Sequence, residues 1–354
     1  MRAAVLCAVG KQLELMDLEA PRLGPGQVLV KLAYSGVCHS QVMEVRGRRG
    51  PDPYTPHLLG HEGSGRVEAV GNGVTKVKPN DLVVLGWIKG KGLEGGPVTY
   101  RGPDLVVNAG SVTTFNEYAV VSENRCVLLP PGLPMDIAVL FGCALPTGAG
   151  MVVNELNPPE GSTIAIFGLG GVGLSALMAT MLYRCSLVIA VDISNDKLSE
   201  ALKFGATHAV NAQVSGPAEE IRKLTNGRGV DFAIDASGRP EVTELAFDSI
   251  RRGGLCTFAS HPAFGSRIRL DPYELICGKN IRGSWGGSTN PDTDVPRLAS
   301  LLHEERFQLG RLISTRYSLH DINSAIDDLE AGHVNRPLIE IDPSIGNALS
   351  AARA

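Results

Sequence analysis

The sequence predicts an α/β protein of two domains, one β-rich and one built on a doubly wound parallel sheet. Three observations carry this. The chain has 354 residues, more than one domain usually holds. Its first third consists of short Val- and Leu-rich segments punctuated by Gly, Pro and Asn, the texture of small strands and turns. From about Cys143 onward, continuous apolar runs alternate with segments of helical periodicity, as parallel strands joined by crossover helices require.

Taken in order, VLVKLAYSGVC, GRVEAVG and NDLVVLGW read as strands. The stretch from Gly86 to Gly110 is Gly-rich, lacks clear periodicity and reads as a lobe or loop. STIAIFG and SLVIAVD are unbroken apolar runs, as expected of strands buried on both faces. GVGLSALMATMLYR between them is helical in spacing. SNDKLSEALKFGA is a helix with Ser194 as its cap and Gly205 as its stop. HAVN, VDFAIDAS and GLCTFAS add strands, and VTELAFDSI adds a helix. DVPRLASLLHEERF and DINSAIDDLEAG are helices, and PLIEID is a closing strand.

Hydrophobic residues make up 44% of the chain and charged residues 20%, with a formal net charge of −4 and no Lys/Arg run. This argues against a nucleic-acid or anionic-membrane partner. The N-terminal residues are too weakly apolar for a signal peptide, and no apolar stretch reaches a membrane span, so a cytoplasmic location is expected. The 7 Cys are odd in number and irregularly spaced, which in a reducing compartment suggests buried thiols, metal ligands or nucleophiles rather than disulfides.

Gly168, Gly170 and Gly173 form G-x-G-x-x-G between a strand and a helix, within the turn Gly168-Leu169-Gly170-Gly171-Val172-Gly173. The first glycine permits the tight turn, the second admits a pyrophosphate, and the third lets helix and strand close-pack. Unpaired N–H groups at the helix start favour the phosphates. Asp192 ends the next strand, 19 residues after Gly173. A carboxylate there bonds ribose hydroxyls and repels a 2′-phosphate, which favours NAD over NADP.

Cys38, His61 and Cys143 make a Cys₂His set of the kind that holds a catalytic Zn²⁺ and leaves a fourth position open. Their long spacing does not by itself bring them together. Taken singly, each is more often a buried thiol or a core histidine than a ligand.

In the order and content of its motifs, the chain resembles the medium-chain zinc-dependent alcohol dehydrogenases over essentially its whole length. Cys38-His39-Ser40 matches the family's C-H-[ST], Gly60-His61-Glu62-Gly63 its G-H-E-G, and Gly142-Cys143 with Thr147-Gly148 its third-ligand segment. The resemblance implies a GroES-like β-rich catalytic domain, residues 1–144 and 287–354, interrupted by a Rossmann domain over 145–286, with the active site in the cleft between them. It implies that Zn²⁺ polarises the substrate oxygen while hydride passes between an alcohol carbon and the nicotinamide. Ser40 would take the alcohol proton, and Glu62 would act beside the metal. His39 and Arg336 would approach the cofactor phosphates, Thr147 the nicotinamide and Lys197 the adenosine ribose. Trp87 would line the substrate pocket. Each also admits an ordinary role, as a solvated charge, a turn-capping hydroxyl or a core aromatic. A homodimer or homotetramer, joined through an edge strand near Ile281 to Trp285, is implied as well.

The chain departs from the family at three places. The lobe from Gly86 to Gly110 contains no Cys, so the structural zinc of many relatives is not expected, leaving one zinc per chain and a lobe held by other means. Gln41 stands where relatives often carry an Asp that bonds the ligand His, and Met43 where several carry a relay His. Cys7, Cys126, Cys185, Cys256 and Cys277 read as small core hydrophobes. A zinc-independent quinone or enoyl reductase and a non-enzymatic dinucleotide-binding protein are the competing readings. The Cys38, His61, Cys143 set opposes the first, and the complete catalytic set opposes both.

Overall fold

The computed structural model describes residues 1–302 and 307–345. They form two compact units. One holds Met1–Cys143 and, apart from Phe307, the described residues from Asn290 on. The other holds Ala144–Thr289.

In the second unit, six strands form a wholly parallel sheet in the order His208–Asn211, Leu187–Asp192, Thr163–Phe167, Val230–Asp235, Ile250–Phe258, Asn280–Gly283. Numbered along the chain this is 3-2-1-4-5-6, the Rossmann order. Thr163–Phe167 lies at the centre and is buried at every residue but its first, which is why its sequence runs apolar without alternation. Strand order reverses between it and Val230–Asp235, so the turn that begins at Gly168 sits at the topological switch point. Helix Asn195–Lys203 starts at Ser194, whose Oγ accepts from Lys197 N at 3.4 Å, and ends before Gly205 at φ +98°.

The first unit carries two sheets. Gln27–Gly36 is the hub of the larger one and pairs antiparallel with Gly63–Val70, Tyr118–Ser122 and Pro337–Glu340. The strand read in PLIEID therefore returns to the N-terminal half, with Leu338 opposite Gly36. The smaller sheet contains Arg2–Leu6, Glu14–Asp17, His57–Leu58, Val98–Arg101 and Val106–Ala109. Among the described residues no single helix is long and apolar enough to cross a membrane.

Two expectations are corrected. The stretch from Gly86 to Gly110 is not all loop, because Val98–Arg101 and Val106–Ala109 form an antiparallel hairpin. Each strand has four residues, and in the first only Val98 and Tyr100 face inward, too short a pattern to show as periodicity. The Tyr100 hydroxyl accepts from Val120 N at 2.7 Å and anchors the hairpin. Of the five remaining cysteines, only Cys126 and Cys256 are buried; Cys7, Cys185 and Cys277 are half-buried.

Carboxylates pin the Gly-rich lobe. Glu123, 1% exposed, accepts from Thr75 N, Lys76 N and Leu93 N at 2.6, 2.7 and 2.7 Å. Glu94 accepts from Ser111 and Ser122 and pairs with Lys89 and Arg125. Asp292 accepts from Lys91 N at 2.6 Å and pairs with Lys76. Burial would raise the Glu123 carboxyl, but the three N–H groups hold it below the ordinary range. Glu94 is lowered to about 2: burial opposes this, and Lys89 and the two serine hydroxyls outweigh it. Both pKa values are depressed in the folded chain. Their stabilisation is therefore complete above the unfolded carboxyl pKa of about 4.3 and is lost as pH falls through the folded values. Glu123→Gln turns an NH₂ toward backbone donors. It is expected to destabilise the protein by about 2–3 kcal/mol, read as a lower urea midpoint at pH 7. A midpoint equal to that of the unsubstituted protein would show that Glu123 does not hold the lobe.

Candidate metal centre

Three separate elements of the first unit bring one ligand each. Cys38 is the N-cap of helix His39–Val45. His61 lies just before strand Gly63–Val70. Cys143 follows the short helical turn Val139–Gly142. Their ligand atoms all lie within 4.8 Å of one another, and the two Sγ atoms are 3.9 Å apart although 105 residues separate them in sequence. His61 Nε2 is buried and has no hydrogen-bond partner. Two thiols and an orphaned imidazole nitrogen aimed at one point fit Zn²⁺ with a fourth position free. The Cys143 thiol donates to Cys38, which therefore sits well below the ordinary thiol range, with Arg336 assisting, while Cys143 sits above it.

Beneath the ligands lies a buried ion pair. Glu62 is 0% and Arg336 4% exposed, and an Arg336 guanidinium nitrogen donates to Glu62 Oε2. Burial would lower Arg336, but Glu62 and the two thiols hold it well above its ordinary value. Arg336 Nε and Glu62 Oε1 are buried and have no partner. Gly36, which no motif marked, and Gly142, known from sequence only as the neighbour of Cys143, admit this pair. A Cβ on Gly36 would stand 2.6 Å from Glu62 Oε1, and one on Gly142 would stand 2.3 Å from Leu85 O and 2.8 Å from Glu62 Cβ. Close packing, not turn geometry, requires glycine at both positions: the Glu62 side chain crowds Gly36, and the Leu85 backbone together with Glu62 crowds Gly142.

The other expected residues fall as follows. Ser40, two residues after Cys38, has a buried Oγ without a partner. His39 is exposed and Met43 is buried. Trp87 is half-buried, its carbonyl accepts from Arg125 at 2.5 Å, and the preceding Gly86 packs on the Gly142 backbone. In the second unit, the three glycines of the turn differ in conformation and surroundings. Gly168 has φ +83°, a Cβ on Gly173 would strike Gly168 O at 1.8 Å, and a Cβ on Gly170 would meet nothing within 4 Å, so that face is open to a ligand. Leu169, Gly171 and Val172 complete the turn, with helix Gly171–Thr180 starting inside it. Asp192 Oδ2 accepts from Leu169 N at 2.7 Å and Oδ1 from Ser194 N at 3.0 Å, which places the carboxylate against the turn. Lys197 lies in the first turn of the following helix, and Thr147, in helix Ala144–Gly150, has a buried Oγ1 without a partner. No sequence signal marked Asp235, buried at the end of its strand, whose carboxylate accepts from Ser237 and Thr243. The backbone of Ser237 abuts Gly168.

A Rossmann unit bearing a dinucleotide turn, together with a β-rich unit bearing a Cys₂His cluster, defines a zinc-type dehydrogenase. Residues 24–131 match the model of the alcohol dehydrogenase GroES-like domain and residues 171–304 that of the zinc-binding dehydrogenase. The chain is 36% identical to alcohol dehydrogenase D of Mycobacterium tuberculosis, a provisional name, over 95% of this chain and 98% of that one. It is 30% identical to alcohol dehydrogenase 2 of Zea mays over 96% and 97%. Among solved structures it is similar to the benzyl alcohol dehydrogenase of Acinetobacter calcoaceticus, with a TM-score of 0.86, 31% identity, and coverage of 96% of this chain and 99% of that one. The chain belongs to the medium-chain zinc-dependent alcohol dehydrogenase family and is an oxidoreductase of that class.

Removing one partner of a buried ion pair strands the other charge. Arg336→Met is expected to cost about 3–5 kcal/mol of stability, and adding Glu62→Gln to it should recover a large part. Chemical denaturation of the two single variants and the double variant measures this. Additive losses would show that the two side chains do not act as a pair.

Proposed function

We propose that this protein interconverts an alcohol and its aldehyde or ketone, using NAD and one zinc ion per chain. The observation that carries the reading is the convergence of Cys38, His61 and Cys143 with His61 Nε2 buried and unsatisfied. Those three side chains would hold the metal. Bound there, zinc supplies Lewis acidity to the substrate oxygen, and NAD supplies the hydride acceptor.

The chain's own residues do the rest. Ser40 Oγ, buried and otherwise unpartnered, would relay the proton of the substrate hydroxyl, accepting it while passing its own hydroxyl proton onward. The Glu62–Arg336 pair keeps a fixed carboxylate and guanidinium next to the thiols and steadies the charge there. Gly170 leaves its side of the turn open to a pyrophosphate. Asp192 receives the adenosine ribose, with Lys197 beside it, and its charge discriminates against a 2′-phosphate. Thr147, His39 and Arg336 serve the rest of the cofactor, and Trp87 borders the substrate. The absence of Cys from the lobe and the carboxylates that pin it support a single zinc rather than two. Self-association is part of the same proposal. Asn280–Gly283 is the edge strand of its sheet, with Ile276, Tyr273 and Trp285 exposed nearby at 81%, 61% and 79%.

A panel running from simple primary and secondary alcohols, benzyl alcohol among them, to polyols tests the reading, assayed with NAD and NADP. Activity is expected with NAD, lost on zinc removal and restored by zinc. Activity indifferent to the chelator would remove zinc from the account. Asp192→Asn keeps an oxygen for the turn but removes the charge. It should raise kcat/KM for NADP relative to NAD by about tenfold or more, the size of roughly 1.4 kcal/mol of lost repulsion. An unchanged ratio would assign cofactor choice elsewhere.

A further inference from the structure

Gln41, 1% exposed, lies in the first turn of helix His39–Val45 and touches two groups of the metal centre at once. Its Oε1 accepts from Cys38 N at 2.8 Å, and its Nε2 faces His61 Nδ1. A backbone N–H can only donate, so the amide oxygen belongs on the Cys38 side. The NH₂ group then donates to His61 Nδ1, which must offer a lone pair. A neutral imidazole carries one N–H. With Nδ1 accepting, that proton sits on Nε2, the ring nitrogen that is buried without a partner in a histidine grouped with the two thiols.

A histidine that binds a metal through Nε2 needs the opposite arrangement, with Nε2 bare and Nδ1–H donating to an acceptor. Gln41 would then face two donors, Cys38 N–H and His61 Nδ1–H, with one oxygen and one NH₂. The conflict does not depend on which way the amide is drawn, because turning it over only moves the clash from one donor to the other. A carboxylate at this position would accept from both.

We infer that Gln41 is a positioning residue that stores the His61 ring proton on Nε2 while the site is empty of metal, and that zinc uptake requires the amide to surrender its bond to Cys38 N. Zinc is consequently held more loosely than the Cys₂His set alone would hold it. The inference rests on the reading of Cys38, His61 and Cys143 as a zinc site.

Two measurements test it, neither of them an activity. The first is the zinc dissociation constant, by competition with a chromophoric chelator, for the unsubstituted protein and Gln41→Glu. The carboxylate should tighten binding about tenfold or more, the scale at which partners of ligand histidines act. Added negative charge alone would also tighten binding, so the second measurement locates the proton directly. In ¹⁵N spectra of the metal-free protein, His61 should show Nε2 protonated and Nδ1 bare, and in Gln41→Glu the reverse. The first of these spectra needs no variant and stands even if Gln41→Glu does not fold. A protonated Nδ1 in the metal-free unsubstituted protein, or equal zinc affinity in the two proteins, overturns the inference and leaves the zinc site intact. Failure of the unsubstituted protein to take up zinc overturns the zinc reading itself, and with it the inference.

Discussion

Glu62 and Arg336 are opposite charges buried together, 274 residues apart in sequence, and neither can be lost without leaving an ion in the core. That requirement organises the metal centre. Glu62 follows directly on His61, and Arg336 directly precedes strand Pro337–Glu340, which pairs with Gln27–Gly36. The strand Gln27–Gly36 ends two residues before Cys38. Gly142, whose lack of a side chain makes room for Glu62, adjoins Cys143. All three ligands are thus one or two residues from an atom that the ion pair fixes. The closing strand of the chain belongs to the site as much as the N-terminal motifs do.

The second unit works by a different kind of constraint. There the decisive geometry is local. Gly168 turns, Gly173 lets helix meet strand, and Gly170 stays open, all within six residues at the point where the sheet order reverses. Asp192 reaches the same turn from the neighbouring strand through Leu169 N. A short-range motif of this kind carries its structure in its own sequence. That is why the parallel sheet, its helices and the Ser194 cap were legible from the chain alone.

The β-rich unit was less legible, for physical reasons. Cys38, His61 and Cys143 had the right chemistry, but their meeting is a tertiary event that residue spacing does not encode; only the order of motifs pointed to it. Glu123 was invisible because a carboxylate that accepts three backbone N–H groups leaves no sequence pattern. The hairpin of Val98–Arg101 and Val106–Ala109 escaped because four-residue strands are shorter than any readable period. The neutral amide at position 41 was visible, but its double engagement with Cys38 N and His61 was not. That engagement makes it more than the absence of a charge.

Everything proposed for the site turns on whether Cys38, His61 and Cys143 together hold one zinc ion. X-ray absorption at the zinc edge, combined with elemental analysis of the purified protein, tests it most directly. One zinc per chain is expected, with two sulfur ligands at about 2.3 Å and the remaining ligands nitrogen or oxygen, and one sulfur after Cys143→Ser. Zinc bound by four sulfurs, or an unchanged sulfur shell in Cys143→Ser, would contradict it.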